Sequence, residues 1–212
     1  LAMNLDFKAI VCKVLEIEGR ALIDSRAKID GVEWGKIIDF VMSANRLIVL
    51  GVGKSGHIGA KIAATLSSTG TPSLFIHPTE AMHGDLGAIT QNDAVLAISY
   101  SGESEELINL MPHLRRLSRG IITMTQNAKS SISRQGDFFI DISVEREACP
   151  LNVAPTTSTT LSLALGDALA VCLMKARGFE RADFASFHPG GSLGKRLFVK
   201  ISDLMQTQNL PI

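Results

Sequence analysis

Leu47-Ile48-Val49-Leu50-Gly51-Val52-Gly53-Lys54-Ser55-Gly56 joins four consecutive apolar residues to a glycine-rich turn. Unbroken apolarity over so short a run is the pattern of a strand buried on both faces, as in parallel sheets covered by helices on either side. Similar runs follow at Leu74-Phe75-Ile76, Ala94-Val95-Leu96-Ala97-Ile98, Ile121-Ile122-Thr123-Met124 and Phe138-Phe139-Ile140. Helical patterns separate them. Ile58, Ile62 and Leu66 mark a stripe within residues 55–69, closed by Gly70 and Pro72. Leu107, Leu110, Met111, Leu114 and Leu117 mark another within residues 105–117, where Pro112 predicts a kink or a weakened turn. Strand and helix in alternation predict a doubly wound α/β domain, a mainly five-stranded parallel sheet with right-handed crossovers.

On the amino side, Phe7, Ile10, Val11, Val14, Ile17 and Ala21 fall at helical spacing among charged residues, which predicts an amphipathic helix over 5–27. A second helix is predicted over 32–42. The alternation ends after Ile142. Beyond it, Leu161, Leu165, Leu169 and Leu173 at i, i+4 spacing predict a long apolar helix over 155–176, terminated by Gly178. Its first turns, residues 156–160, are crowded with hydroxyls. The chain shows no internal repeat and no low-complexity linker.

The 212 residues carry 21 Lys+Arg against 21 Asp+Glu, a formal net charge of zero. One domain is the default at this length, and burial of roughly 70% of the unfolded surface makes covalent staples unnecessary. Zero net charge lacks the electrostatic footprint of a general nucleic-acid binder, and 5% aromatics leaves few stacking platforms for single strands. No uninterrupted apolar run approaches the ~18 residues of a spanning helix. Residues 1–13 lack the apolar core of a signal peptide. Cys12, Cys149 and Cys172 are odd in number and lack metal-type spacing, which fits reduced thiols. The expectation is a cytoplasmic domain with no nucleic-acid and no membrane partner.

Ligands of open parallel sheets bind beyond the carboxyl ends of the strands. After the first run, Gly51-Val52-Gly53-Lys54-Ser55-Gly56 satisfies the G-x-G-x-x-G dinucleotide pattern. Yet His77, not an acidic residue, follows the second run, and a P-loop would need Gly where Ile48 stands. What survives is a helix N-terminus with free N–H groups, a lysine and a hydroxyl, all suited to a phosphate. After the third run, Ser99-Tyr100-Ser101-Gly102-Glu103-Ser104 opens the next helix. Helix capping explains one serine; three hydroxyls around a glycine exceed it and form a cup of neutral donors for a dianion. Two such turns on neighbouring strands point to a sugar phosphate.

Acid–base candidates lie further along. His83 has Glu80 one turn earlier and Asp85 close by, whereas His57, His77 and His113 read as structural. Glu106 stands just inside the helix after the serines, Glu147 precedes Ala148-Cys149-Pro150, and His188 opens His188-Pro189-Gly190-Gly191-Ser192. A Glu–His metal pair is not completed by a second histidine or a cysteine pair, so no metal and no cofactor is expected.

The glycine turn, the serine turn and the alternation resemble the sugar isomerase (SIS) domain family. More specific are Ser68-Thr-Gly-Thr-Pro-Ser, His77-Pro-Thr-Glu-Ala-Met-His-Gly-Asp-Leu-Gly, Ala148-Cys-Pro-Leu-Asn-Val-Ala-Pro-Thr-Thr-Ser-Thr-Thr, Gly166-Asp-Ala-Leu-Ala and Asp183-Phe-Ala-Ser-Phe-His-Pro-Gly-Gly-Ser-Leu-Gly. Together these resemble the D-arabinose 5-phosphate isomerases within that family, over nearly the whole chain. The resemblance implies a flavodoxin-like sheet and aldose–ketose isomerisation of D-ribulose 5-phosphate and D-arabinose 5-phosphate without a cofactor. It implies charged active-site residues at Lys54, Glu106, Glu147 and His188, and an important histidine at His83. Gly53, Ser55, Ser99, Ser101 and Ser104 are expected to hold the phosphate. It also implies a homotetramer with shared sites, and a product feeding synthesis of 3-deoxy-D-manno-octulosonate for lipopolysaccharide or capsule.

Ile201-Ser-Asp-Leu-Met-Gln-Thr resembles the opening of a CBS module. The expected organisation is an isomerase domain over 1–200, with 201–212 the start of a missing or truncated CBS region. Two other readings compete: a catalytically silent sugar-phosphate sensor, which needs only the cup, and a nucleotide-binding oxidoreductase. For the isomerase, His83 and His188 are the leading acid–base candidates because an imidazole titrates nearest to working pH. Glu106 and Glu147 would orient them or act as base, and Lys54 would neutralise the phosphate or the enediolate.

Overall fold

Each apolar run forms a strand: β1 (Leu47–Gly51), β2 (Ser73–Ile76), β3 (Ala94–Ile98), β4 (Gly120–Thr125) and β5 (Phe138–Asp141). All neighbouring pairs are parallel, in the order β2-β1-β3-β4-β5, which is the flavodoxin-like arrangement of a doubly wound fold. The computed structural model describes residues 5–189. The expected boundary at residue 200 and the CBS-like segment lie outside the described residues.

Helices cover both faces. On one, α2 (Trp34–Met42), α3 (Gly53–Ser68) and α6 (Thr157–Arg177) bury Ile37, Ile62, Leu66, Leu161, Leu165, Leu169 and Leu173 against Val49, Leu96, Ile98, Ile122 and Met124. On the other, α4 (Pro78–Met82) and α5 (Glu105–Leu117) bury Ala81, Leu107, Leu110, Met111 and Leu114 against Ile48, Leu50, Val95, Ala97 and Ile121. Successive residues of β1, β3 and β4 therefore serve opposite cores, so their sequence shows no alternation. Where α3 and α6 meet, a Cβ at Gly166 would overlap the Ile62 side chain, so the close approach of these helices depends on that glycine. Only atoms as small as hydrogen fit there.

Several expectations need correction. The first helix, α1 (Phe7–Asp24), gives way to a 3₁₀ segment, Ser25–Gly31, and none of its residues is buried in the single chain. The second starts at Trp34 rather than residue 32. Helix α5 runs continuously through Pro112, which lies on its exposed side. Although no uninterrupted apolar run marks it, α6 is long and apolar enough to cross a bilayer by length and composition; half of its apolar window is buried in the core. A last short helix, α7 (Arg181–Phe187), follows the left-handed Gly178.

At the amino edge of the sheet Asp93 is 0% exposed. It accepts Arg46 Nε at 3.1 Å, Arg46 Nη2 at 2.7 Å, Thr90 N at 2.8 Å and Thr90 Oγ1 at 3.0 Å, fixing the start of β3 beside β1. Replacing Asp93 by Ala strands these donors, although the partly exposed guanidinium regains water. The expected loss is about 2–3 kcal/mol, read from urea unfolding of the purified protein; a loss below about 0.5 kcal/mol would mean the pair is unimportant.

Candidate active site

The ladder between β1 and β3 pairs Gly51 with Ile98, so the segments leaving these strands emerge side by side at the carboxyl edge. The first begins α3 almost at once. A Cβ on Gly51 would lie 2.8 Å from the carbonyl oxygen of Ser55, and one on Gly56 2.7 Å from that of Gly51. Glycine at both positions lets the helix start directly against the strand end, with Gly53 in the left-handed region at φ +57°. Val52 at the N-cap supplies no side-chain acceptor, so no side chain of the cap satisfies the first-turn N–H groups. Lys54 is exposed and Ser55 half-buried there.

The second segment is the serine turn. Its backbone extends the β3–β4 ladder, Ser99 N donating to Met124 O at 3.0 Å and Gln126 N to Tyr100 O at 2.9 Å. Ser99, 3% exposed, lies 2.8 Å from Ser104 oxygen to oxygen, and its Oγ accepts Gly102 N at 3.2 Å. Ser101 is exposed, and its Oγ accepts Glu103 N at 3.2 Å. Gly102 sits at φ +70°, where a Cβ would run into Ser130. Ser104 caps α5 in position without a side-chain bond to it, so its hydroxyl is engaged only with Ser99. The structure thus brings Ser99, Ser101 and Ser104 into one turn, beside the turn holding Gly53, Lys54 and Ser55.

Glu106 lies exposed in the first turn of α5, and Lys54 in the first turn of α3; among the described residues neither forms an ion pair. His83 is exposed at the end of α4, the short helix that leaves the carboxyl end of β2 and packs on α5. His77 caps α4, its Nδ1 accepting Thr79 N at 3.3 Å. Among the described residues no three His, Cys, Asp or Glu side chains are grouped to hold a metal.

Glu147 has a defined partner set. Its Oε2 accepts Thr156 N at 2.8 Å, Thr156 Oγ1 at 3.1 Å and Ser158 N at 3.2 Å, at the start of α6. Burial pushes the carboxyl pKa up, but the hydrogen bonds from Ser158 and Thr156 prevail and hold it below the usual carboxylate range. The loop between closes on itself: Glu147 N donates to Asn152 Oδ1 at 2.7 Å, Ala148 N to Thr156 Oγ1 at 2.9 Å, and Asn152 adopts φ +53°. Backbone N–H groups of Ala154, Val153 and Leu151 also draw the Cys149 thiol below its ordinary pKa. The hydroxyl-rich start of α6, residues 156–160, thus has a task that its composition does not reveal: Thr156 and Ser158 hold Glu147. Tyr100, whose hydroxyl accepts Val144 N at 3.4 Å, carried no signal at all.

His188 is not brought to the serine turn within one chain. Helix α6 starts near the carboxyl edge and ends at the amino edge, where Arg177 Nε donates to Thr71 Oγ1 at 3.1 Å. Phe179 packs on Gly70 there, Phe187 stacks on Phe179 at 5.8 Å, and the His188 ring stacks on Phe184 at 4.0 Å. The 21 residues of α6 span about 30 Å, which sets the separation of the two edges. A cavity of about 430 Å³ lies elsewhere again, between α1 and residues 143–146, and shares no lining residue with either turn.

Residues 41–172 match the SIS domain. The chain belongs to the SIS domain family. It is 48% identical over 213 residues to the arabinose 5-phosphate isomerase KdsD of Pseudomonas aeruginosa, covering 100% of this chain and 65% of that one. It is 52% identical over 212 residues to an uncharacterized protein of Helicobacter pylori, covering 98% of this chain and 64% of the other. The chain thus spans just under two thirds of these relatives' length. A structure from E. coli CFT073 in complex with arabinose 5-phosphate superposes with a TM-score of 0.84 at 38% identity, covering 88% of this chain and all of that one.

Because the folded-state pKa of Glu147 is depressed, its contribution to stability is present above the unfolded value of about 4.3 and is lost as pH falls through the folded value. Wild type and Glu147→Gln are therefore expected to differ in urea midpoint near neutrality and to converge between about pH 5 and pH 3. A difference independent of pH would show that the carboxylate charge is not what α6 holds.

Proposed function

We propose that this chain is an aldose–ketose isomerase domain that interconverts D-ribulose 5-phosphate and D-arabinose 5-phosphate through an enediol. What carries the reading is the pairing of the glycine and serine turns at one strand-end crevice, in a chain 48% identical along its whole length to an arabinose 5-phosphate isomerase. The E. coli neighbour, solved in complex with arabinose 5-phosphate, supports the same ligand class.

In this reading Ser55, Ser99, Ser101 and Ser104 and the N–H groups at Gly53 hold the phosphate, with Lys54 supplying positive charge. The anchored phosphate orients the open-chain sugar, so binding energy distant from the reacting carbons lowers the barrier. A base removes the proton from one of C1 and C2, an enediol forms, and the proton returns to the other carbon while an acid and base exchange the hydroxyl proton. No redox partner is consumed. His83 and His188 serve as acid and base, Glu106 stands over the crevice, and Glu147 holds its surroundings in place.

His188 then acts in a neighbouring subunit's crevice, since α7 carries it to the opposite edge of its own chain. Two observations support a homo-oligomer, which we assign as a tetramer. Phe7, Val11 and Leu15 on α1 are 70%, 57% and 67% exposed, and Val171 on α6 is 55% exposed. Such a spread of large apolar side chains suits an interface between copies. The reading extends to a cytoplasmic place in 3-deoxy-D-manno-octulosonate supply, and to residues 201–212 as the opening of a CBS region.

The direct test supplies D-arabinose 5-phosphate in the presence of a chelator and follows ribulose 5-phosphate. Product is expected; tight binding without turnover would replace the isomerase by a sensor. His83→Asn and His188→Asn are each expected to lower kcat by roughly 10²- to 10⁴-fold, and a change below about threefold would remove that residue from the chemistry. Mixing His188→Asn subunits with Lys54→Ala subunits is expected to recover activity above either alone, which a site confined to one chain would not allow.

A further inference from the structure

Tyr100 stands between two of the phosphate-holding serines, yet its side chain leaves their turn. Ser99 and Ser101 direct their hydroxyls back into the turn, on Gly102 and Glu103. The Tyr100 ring instead packs, half-buried, against the core on the α3 and α6 face. Its backbone is locked on both sides, since Ser99 N bonds to Met124 O and its own carbonyl accepts Gln126 N. The ring therefore projects from a fixed base.

At its far end the phenol oxygen accepts the Val144 N–H at 3.4 Å. Val144 belongs to the segment that leaves β5 after Ile142, whose N–H still pairs with Thr125 O at 3.0 Å. Three residues on is Glu147, which is itself clamped to α6 through Thr156 and Ser158. Among the described residues, the Tyr100–Val144 bond is the one side-chain hydrogen bond between residues 99–104 and residues 143–158. Burial raises the phenol pKa, the Val144 N–H opposes this, and the Glu147 and Asp141 carboxylates raise it further, in keeping with how near the ring comes to Glu147. No other tyrosine exists in the chain.

We infer that Tyr100 is a positioning residue that sets the spacing between the phosphate-holding serines and the Glu147 segment, by bonding Val144 across the carboxyl edge of the sheet. It deepens the isomerase reading and rests on it: a sugar phosphate held at one end by the serines is matched at its reacting end only if residues 144–147 stay at a fixed distance. Tyr100 touches no reacting atom in this scheme. Its effect passes through Val144 to Glu147, and misplacement of a reacting end by a fraction of an ångström to 1 Å is enough to slow a step by up to about 10²-fold.

Tyr100→Phe keeps the ring and its packing and removes only the hydroxyl. Relative to wild type, kcat for D-arabinose 5-phosphate is expected to fall about tenfold, while KM and inhibition by inorganic phosphate change less than about twofold, because the serines are untouched. Amide hydrogen exchange, which needs no activity, is expected to quicken in residues 144–148 and to stay unchanged in residues 99–104. Unchanged kcat together with unchanged exchange would overturn the bridge. So would a loss seen wholly in KM and phosphate affinity, which would place the effect in the serine turn. If wild type itself proves inactive, the isomerase reading fails, and the exchange measurement alone then decides whether Tyr100 holds residues 144–148.

Discussion

The arrangement depends on one constraint, the parallel register that sets Gly51 of β1 opposite Ile98 of β3. Chain order reverses between these two strands, since β2 lies outward of β1 and β4 outward of β3. Right-handed crossovers then send α3 to one face and α5 to the other. The N-termini of α3 and α5 start at the same edge of the sheet, α3 with Gly53 and Ser55 in its first turn and α5 directly after the Ser99–Ser104 turn. Nothing in either turn alone would select a sugar phosphate. Their juxtaposition, in register to a single residue, gathers backbone N–H groups, hydroxyls and Lys54 at one edge of the sheet, a combination suited to an anion.

Both-face burial also explains what was legible in the sequence. Ile48 and Val49 serve different cores, so β1 appears as an unbroken apolar run and is recognised by length and by the glycines that stop it. The stripes of α3, α5 and α6 survive because each helix buries one side. Short elements did not stand out. Helix α4 and the 3₁₀ segments at Asp85–Ala88 and Ser133–Gln135 offer too few residues to show a period. Helix α1 was legible as a helix but not in what covers it: the pattern says that an apolar side exists, and the chain itself leaves Phe7 and Leu15 exposed.

The site divides in the same way. Turn chemistry is local, so the serines and glycines could be placed from spacing and from the rule that ligands meet strand ends. Glu147 is different. Its surroundings come from Asn152, Thr156 and Ser158 across a loop, with a left-handed Asn152 at the bend, and no periodicity announces that closure. His188 is harder still, because its neighbours in the chain are aromatic rings at the opposite edge of the sheet. Tyr100 gave no sign because its significance lies in a backbone N–H, Val144, about which side-chain identity says nothing.

These environments also divide the proposed chemistry. A carboxylate that accepts three hydrogen bonds and is held below its ordinary pKa is a weak proton acceptor near neutrality, and a proton added to it would sacrifice bonds at the start of α6. Glu147 is thus better suited to fixing the loop and presenting a steady negative charge than to carrying the proton between carbons. In the proposed scheme that task falls to groups with no such commitment: His83, exposed at the carboxyl edge, and His188, contributed by a neighbouring subunit. On this scheme assembly is part of the reaction, because a single chain holds the phosphate end of its ligand but supplies only part of the proton relay.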